Sequence, residues 1–177
     1  MLSFENQEVE FKQEYVADIR KEVIAFANAS GGTILIGVRK DGTVIGVNPD
    51  SVMLQVAGSL KDAIAPDIMP FVNIKTVEIE EKTVIEINVA TGTNRPYYIR
   101  EKGLKPSGVY VRKGSSSQPM TDEGIREMII QNGIRSYESC RSMNQALTFE
   151  VFSAEMSKRN IPLGSSQMMT LKMIGED

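Results

Sequence analysis

The chain has 177 residues, 41% apolar and 24% charged, the balance of a soluble globular protein long enough for one core. A formal net charge of −3 excludes a polycation that holds nucleic acid by bulk charge, so any such binding must come from a local patch. No histidine and a single cysteine, Cys140, exclude Ser-His-Asp and Cys-His nucleophiles, histidine bases and zinc sites, leaving carboxylates, Lys, Tyr or a carboxylate-held metal for any catalysis.

Val9-Glu10-Phe11-Lys12 alternates apolar and charged residues and predicts a short strand. Glu14 to Ala29 carries Val16, Ile19, Val23, Phe26 and Ala27 at helical spacing, and Gly31-Gly32 supply the positive φ of a helix exit. Thr33 to Val38 is a continuous apolar run, expected to be a strand buried on both faces. Asp41-Gly42 then predicts a hairpin turn into a strand from Thr43 to Val47. A second helix is expected from Asp50 to Ala65, capped by Asp50 and ended by Pro66, with Gly58 as a weak point inside it. Phe71 to Ile79 and Thr83 to Val89 predict two strands joined by Glu80-Glu81-Lys82. The apolar phase of the first slips between Ile74 and Val77, which suggests a bulge.

Residues 91–115 are loop-rich, with short strands expected at Tyr97-Tyr98-Ile99 and Val109 to Arg112. A helix follows from Thr121 to Asn132, with Asp122 and Glu123 at its positive end and Gly133 at its exit. The apolar pattern stops from Arg135 to Asn144, a linker reading, and resumes in a helix from Thr148 to Arg159 that Ile161-Pro162 breaks. Residues 4–133 are thus expected to form one domain, and 134–177 a linker with the start of a following, truncated domain. No run of about 18 apolar residues predicts a membrane span. The acidic start at Met1 to Glu5 and the lone cysteine fit a cytoplasmic protein.

Four features could carry chemistry. Gly37 to Gly42 has P-loop glycine spacing, but Thr43 replaces the essential Lys and a hairpin follows, so it is not read as a nucleotide site. Between residues 91 and 115, Arg95, Arg100, Lys102, Lys105, Arg112 and Lys113 face one acid, Glu101, and Tyr97, Tyr98 and Tyr110 lie among them. Cations for phosphates and rings for stacking suit a nucleic-acid surface, and six phosphate contacts would give a log–log salt slope of about −5. The same window can equally be a solvated loop. Ser115, in Gly114-Ser115-Ser116-Ser117 ahead of a helix, could add a phosphate contact, although a plain strand-to-helix turn explains that run as well. Finally, Glu8 and Glu10 share a strand face and could hold a divalent cation with a third acid, whereas Glu14, Asp18 and Glu22 are most simply the wet face of the first helix.

Glu8-Val9-Glu10-Phe11-Lys12, Ala25-Phe26-Ala27-Asn28-Ala29, Gly31 to Val38, Asp41 to Val47, Arg95-Pro96-Tyr97-Tyr98 and Val109 to Ser116 come in this order. Over roughly Phe4 to Gln131 they make the chain resemble the Schlafen/AlbA_2 domain, also called the divergent AAA-4 domain. The remainder, with Ser136-Tyr137-Glu138 and Leu147-Thr148-Phe149-Glu150, resembles the lead into the next domain of bacterial transcriptional regulators and RecG-related helicases. In those an ATPase-like region and a winged helix follow, so the chain reads as an N-terminal fragment.

The resemblance implies an α/β fold of mixed sheet and packed helices with a helical C-terminal extension, and a nucleic-acid-binding role. Animal Schlafens with RNase activity use two Glu residues in the opening segment and an Asp after the Gly-Val strand. The pair matches Glu5 and Glu10; the third position is Lys40, with Asp41 one residue along. An ammonium in place of a carboxylate opposes cation binding. The preferred reading is therefore a DNA-binding domain of a transcriptional regulator, DNA rather than RNA, held by phosphate contacts with no recognition helix. The alternatives are a Mg²⁺- or Mn²⁺-dependent RNase using Glu5, Glu10 and Asp41, and a homodimerisation module that binds no nucleic acid. No cofactor is expected in this part of the protein, and ATP at most in the region downstream.

Overall fold

The computed structural model describes residues 4–133, 148–162 and 164–170. The chain divides into two compact units between Gly133 and Ile134. The first is a mixed α/β unit whose main sheet has four strands in the order β1 (Val9–Lys12), β2 (Gly32–Ile36), β5 (Lys82–Val89) and β4 (Val72–Ile79). β1 and β2 run parallel, with Val9 opposite Thr33, and helix α1 (Ile19–Asn28) is the crossover that a parallel pair requires. β5 is antiparallel to both neighbours.

α1 is shorter than its apolar spacing suggests. Residues 16–18 form a turn, in which Ile19 N donates to Val16 O at 3.0 Å and Lys21 N to Asp18 O at 2.9 Å. At the other end Gly31, at φ +81°, donates to Phe26 O at 2.9 Å and turns the chain into β2. Gly32 lies so close to the Phe26 ring that any Cβ there would collide with it.

Two cores result. Ile34, Ile36, Ile85, Ile87 and Val89 face α1, together with Val56 and Leu60 of helix α2 (Pro49–Ala63). Phe11, Leu35, Val38, Val44 and Val84 form a second cluster, and Val77 and Ile79 pack on it. This second core removes the expected bulge in β4. The ladder runs unbroken from Val72 opposite Val89 to Ile79 opposite Lys82. Ile74 faces the first core and Val77 the second, so the phase slip records a strand that buries apolar residues on both faces. Glu80 and Glu81 make the two-residue turn at φ 51° and 59°.

The hairpin after β2 forms around Asp41-Gly42, but its return strand shrinks to one bridge, Val38 opposite Val44. Gly37 and Gly46 stack backbone on backbone at φ +107° and +77°, which no extended pair of strands allows. α2 opens with Pro49 in its first turn and no side-chain cap, so Asp50 lies inside the helix rather than capping it. It ends two residues early because Ile64–Ala65 forms β3, paired with β6 (Tyr98–Ile99). β7 (Tyr110–Lys113) pairs with β8 (Ser116–Pro119), and α3 (Asp122–Gly133) follows. Thr121 Oγ1 caps α3, accepting from Gly124 N at 3.1 Å.

In the second unit, the expected helix from Thr148 is observed as α4 (Glu150–Lys158), and α5 (Ser165–Thr170) follows it. Glu155 of α4 pairs with Arg159 at 3.1 Å and Lys158 at 3.5 Å. The expected linker, Arg135 to Asn144, lies outside the described residues.

Candidate nucleic-acid interface

β6 leads into a basic loop that closes on itself. Ile99 N donates to Gly108 O at 2.9 Å across its neck, and Lys102 N and Gly103 N both donate to Ile99 O at 3.0 Å. Lys105 N donates to Gly103 O at 3.0 Å, a three-residue turn with Leu104 at its apex. Pro106 then sits in a four-residue turn closed by Gly108 N on Lys105 O at 2.8 Å. The Tyr110 hydroxyl fastens the loop from outside, donating to Ser107 O at 3.1 Å. The Gly103 carbonyl leaves no room for a Cβ at Gly108.

Lys102 and Lys105 are exposed on this loop, and Lys113 is exposed where β7 turns into β8. None of the three pairs with an acid among the described residues. Arg100 is exposed too, but its Nε and Nη2 each donate at 3.2 Å to the carbonyls of Asp62 and Ile64, at the negative C-terminal end of α2. Arg95 is half-buried and its Nε is enclosed without a hydrogen-bond partner. Ser115 is exposed in the β7–β8 turn, which Gly114 makes at φ +58°.

Two members of the sequence-derived set, Tyr97 and Arg112, are buried. Tyr97 is fully buried, edge-on to Phe71 at 6.1 Å between centroids, and burial pushes its phenol above the ordinary range; it stacks on core, not on a base. Tyr98 is half-buried in β6. Arg112 is the largest correction. Its side chain is 1% exposed and lies over the Phe26 ring at 4.8 Å, so it cannot reach a phosphate.

Arg112 instead joins two carboxylates. Its Nη2 meets Glu10 Oε2 at 2.9 Å and donates to Asn6 O at 2.9 Å, and its Nη1 meets Glu22 Oε2 at 3.4 Å. Lys12 Nζ takes the remaining oxygens, Glu10 Oε1 at 2.7 Å and Glu22 Oε1 at 3.1 Å. The Ser117 hydroxyl donates to Glu22 as well. Burial alone would lower the Lys12 ammonium, but hydrogen bonds and charge from Glu10 and Glu22 outweigh it and raise its pKa above 10.5. β1, α1, β7 and β8 are locked together by this network. Glu22, read from sequence as part of a wet helix face, is one of its centres, and only the pairing of an acid on α1 with a cation 90 residues later could have signalled that.

The residues of the nuclease alternative do not fit a divalent cation. Both oxygens of Glu10 are taken by internal cations. Glu5 Oε1 accepts Phe11 N at 3.0 Å, closing the outer edge of β1. Asp41 accepts Thr43 N at 2.9 Å in the exposed hairpin turn, and that bond lowers its pKa. Glu8 is exposed while Glu10 is buried, so the two do not converge. No three metal-ligating side chains come together among the described residues. Asn28 is a further position that spacing did not reveal. Buried at the end of α1, it donates to Tyr97 O and Tyr110 O, both at 2.9 Å, and accepts Tyr97 N at 2.7 Å. It fixes both strands that flank the basic loop.

The family model Schlafen, AlbA_2 matches residues 5–121, more than half of the chain. The chain belongs to the Schlafen AlbA_2 family. The AlbA_2 match thus covers the sheet, α1, α2 and the basic loop, and stops just before α3. Among solved structures, the AlbA_2 chain is similar to the DIP2311 protein from Corynebacterium diphtheriae, at 21% identity and a TM-score of 0.50 over 64% of this chain, a likeness of fold. It spans 25% of the length of that protein. It is also similar to the N-terminal domain of a RecG-related protein from Nitrosomonas europaea, at 26% identity and a TM-score of 0.44, over 64% of this chain and 82% of that one. No curated protein gives a significant match. Among the described residues no helix is long and apolar enough to cross a membrane.

Proposed function

We propose that the AlbA_2 domain binds duplex DNA through its phosphates, as the binding module of a transcriptional regulator. The observation that carries this reading is the closed loop at 99–109, which holds Lys102 and Lys105 exposed with no acid paired to either among the described residues. The internal hydrogen bonds of the loop order its backbone before binding, so little backbone entropy is lost when phosphates meet its cations. Lys113 and Arg100 extend the positive surface to either side in sequence. The implied nucleic-acid role of the family agrees with this placement. A metal-dependent nuclease has no donor set to rest on, because Glu10 is already neutralised from within.

With Arg112 removed from the track, four exposed cations remain: Arg100, Lys102, Lys105 and Lys113. Their contacts give a log–log salt slope of about −3.6, shallower than six contacts would. Fluorescence anisotropy of a labelled duplex against the full chain, at several salt concentrations, tests this. Lys102→Gln, Lys105→Gln and Lys113→Gln should each weaken binding and flatten the slope by about 0.9. An absence of binding even at low salt refutes the proposal.

A further inference from the structure

We propose that Leu104 is a wedge that enters the DNA minor groove and unstacks a base step, with Lys102 and Lys105 gripping the phosphates on either side. This rests on the DNA-binding reading and adds a mode of engagement to it. Leu104 is 45% exposed at the apex of its three-residue turn. An isolated exposed leucine needs no explanation on most surfaces. This one stands in a loop that the backbone hydrogen bonds of Ile99, Lys102, Gly103 and Lys105 close on itself.

The flanking residues define the partner. Lys102 and Lys105 are both exposed, and Pro106 follows at once, half-buried. An exposed apolar side chain flanked in sequence by two exposed cations matches the chemistry of minor-groove wedges, in which Leu, Ile, Met, Phe or Pro part a base step while Lys or Arg neutralise the adjacent phosphates. The narrow groove admits a single side chain on a tight turn but not a helix, and among the described residues no helix carries a basic recognition face. Flexible pyrimidine–purine steps are the ones that open most easily, so the loop should favour them without reading bases directly.

The test uses the full chain and a duplex with 2-aminopurine at a TA step and a donor–acceptor dye pair at its ends. The native chain should raise 2-aminopurine fluorescence and shorten the end-to-end distance at saturation. Leu104→Ser should bind with an unchanged salt slope yet leave both signals at their free-duplex level, while melting at the same temperature as the native chain. A native complex without the fluorescence rise, or a Leu104→Ser complex that keeps it, overturns the wedge and leaves phosphate binding standing. No anisotropy change with any duplex overturns the DNA-binding reading itself. Leu104-dependent binding to anionic phosphatidylserine vesicles, with none to duplex, also overturns the proposal and assigns the loop to a membrane surface.

Discussion

Replacing Arg112 with Ala distinguishes a buried structural cation from a phosphate contact. The guanidinium is 1% exposed, pairs with Glu10 and Glu22, and donates to Asn6 O at 2.9 Å. Its loss leaves Glu10, 7% exposed, with Lys12 alone as counter-charge, and Glu22 with Lys12 and a serine hydroxyl. Breaking a buried pair in this way costs about 3–5 kcal/mol, because the remaining carboxylates keep their desolvation penalty. At roughly 3–5 °C per kcal/mol for a domain of this size, the melting temperature should fall by about 10–20 °C. Thermal and urea unfolding followed by circular dichroism measure it. Glu10→Gln and Arg112→Ala should cost less together than the sum of their separate effects, because each removes the charge that the other leaves unpaired. The reasoning is refuted if Arg112→Ala unfolds within about 1 kcal/mol of the native chain while DNA binding weakens and its salt slope flattens by about 0.9, the behaviour of a free surface cation.

Three further outcomes follow from the packing. Gly58 lies exposed in α2 with open space where a Cβ would stand, so Gly58→Ala should stabilise by about 0.5–1 kcal/mol in urea unfolding. Asn28→Ala strips the partners from Tyr97 N and from the Tyr97 and Tyr110 carbonyls, and should destabilise by about 2–4 kcal/mol. Faster hydrogen exchange at the Tyr97 amide would mark the cause. Lys12 has its folded pKa raised above 10.5, so its contribution is fully present below 10.5 and is lost as pH rises through the higher folded value. The stability gap between the native chain and Lys12→Met should therefore hold from neutral pH to about 10 and narrow above 10.5. A gap that widens above 10.5 would contradict the sign.

Most of the fold was legible in the sequence because its signals are local. The apolar run of β2, the stripe of α2, the Asp41-Gly42 turn and the two strands around Glu80-Glu81 each depend on neighbours within a few residues. β8 was not legible, since Ser116, Ser117, Gln118 and Pro119 carry no strand propensity and pair only because the Gly114 turn folds them onto β7. The bulge expected in β4 was a misreading of the same kind: sequence shows a change of phase, and only a second core on the far face of the sheet explains it.

The basic window shows where sequence stops. Composition by itself established that any nucleic-acid surface had to be local, that histidine chemistry was absent, and that cations concentrate between residues 91 and 115. It could not divide those cations by role, because exposure is a property of the packed chain. The fold sends Lys102, Lys105 and Lys113 outward, ties Arg100 to the end of α2, and draws Arg112 inward between two acids from β1 and α1. Two cations one residue apart, Arg112 and Lys113, end on opposite sides of the same strand because side chains alternate along β7. Strand parity against α1 decided which of the two became structure and which remained free to bind.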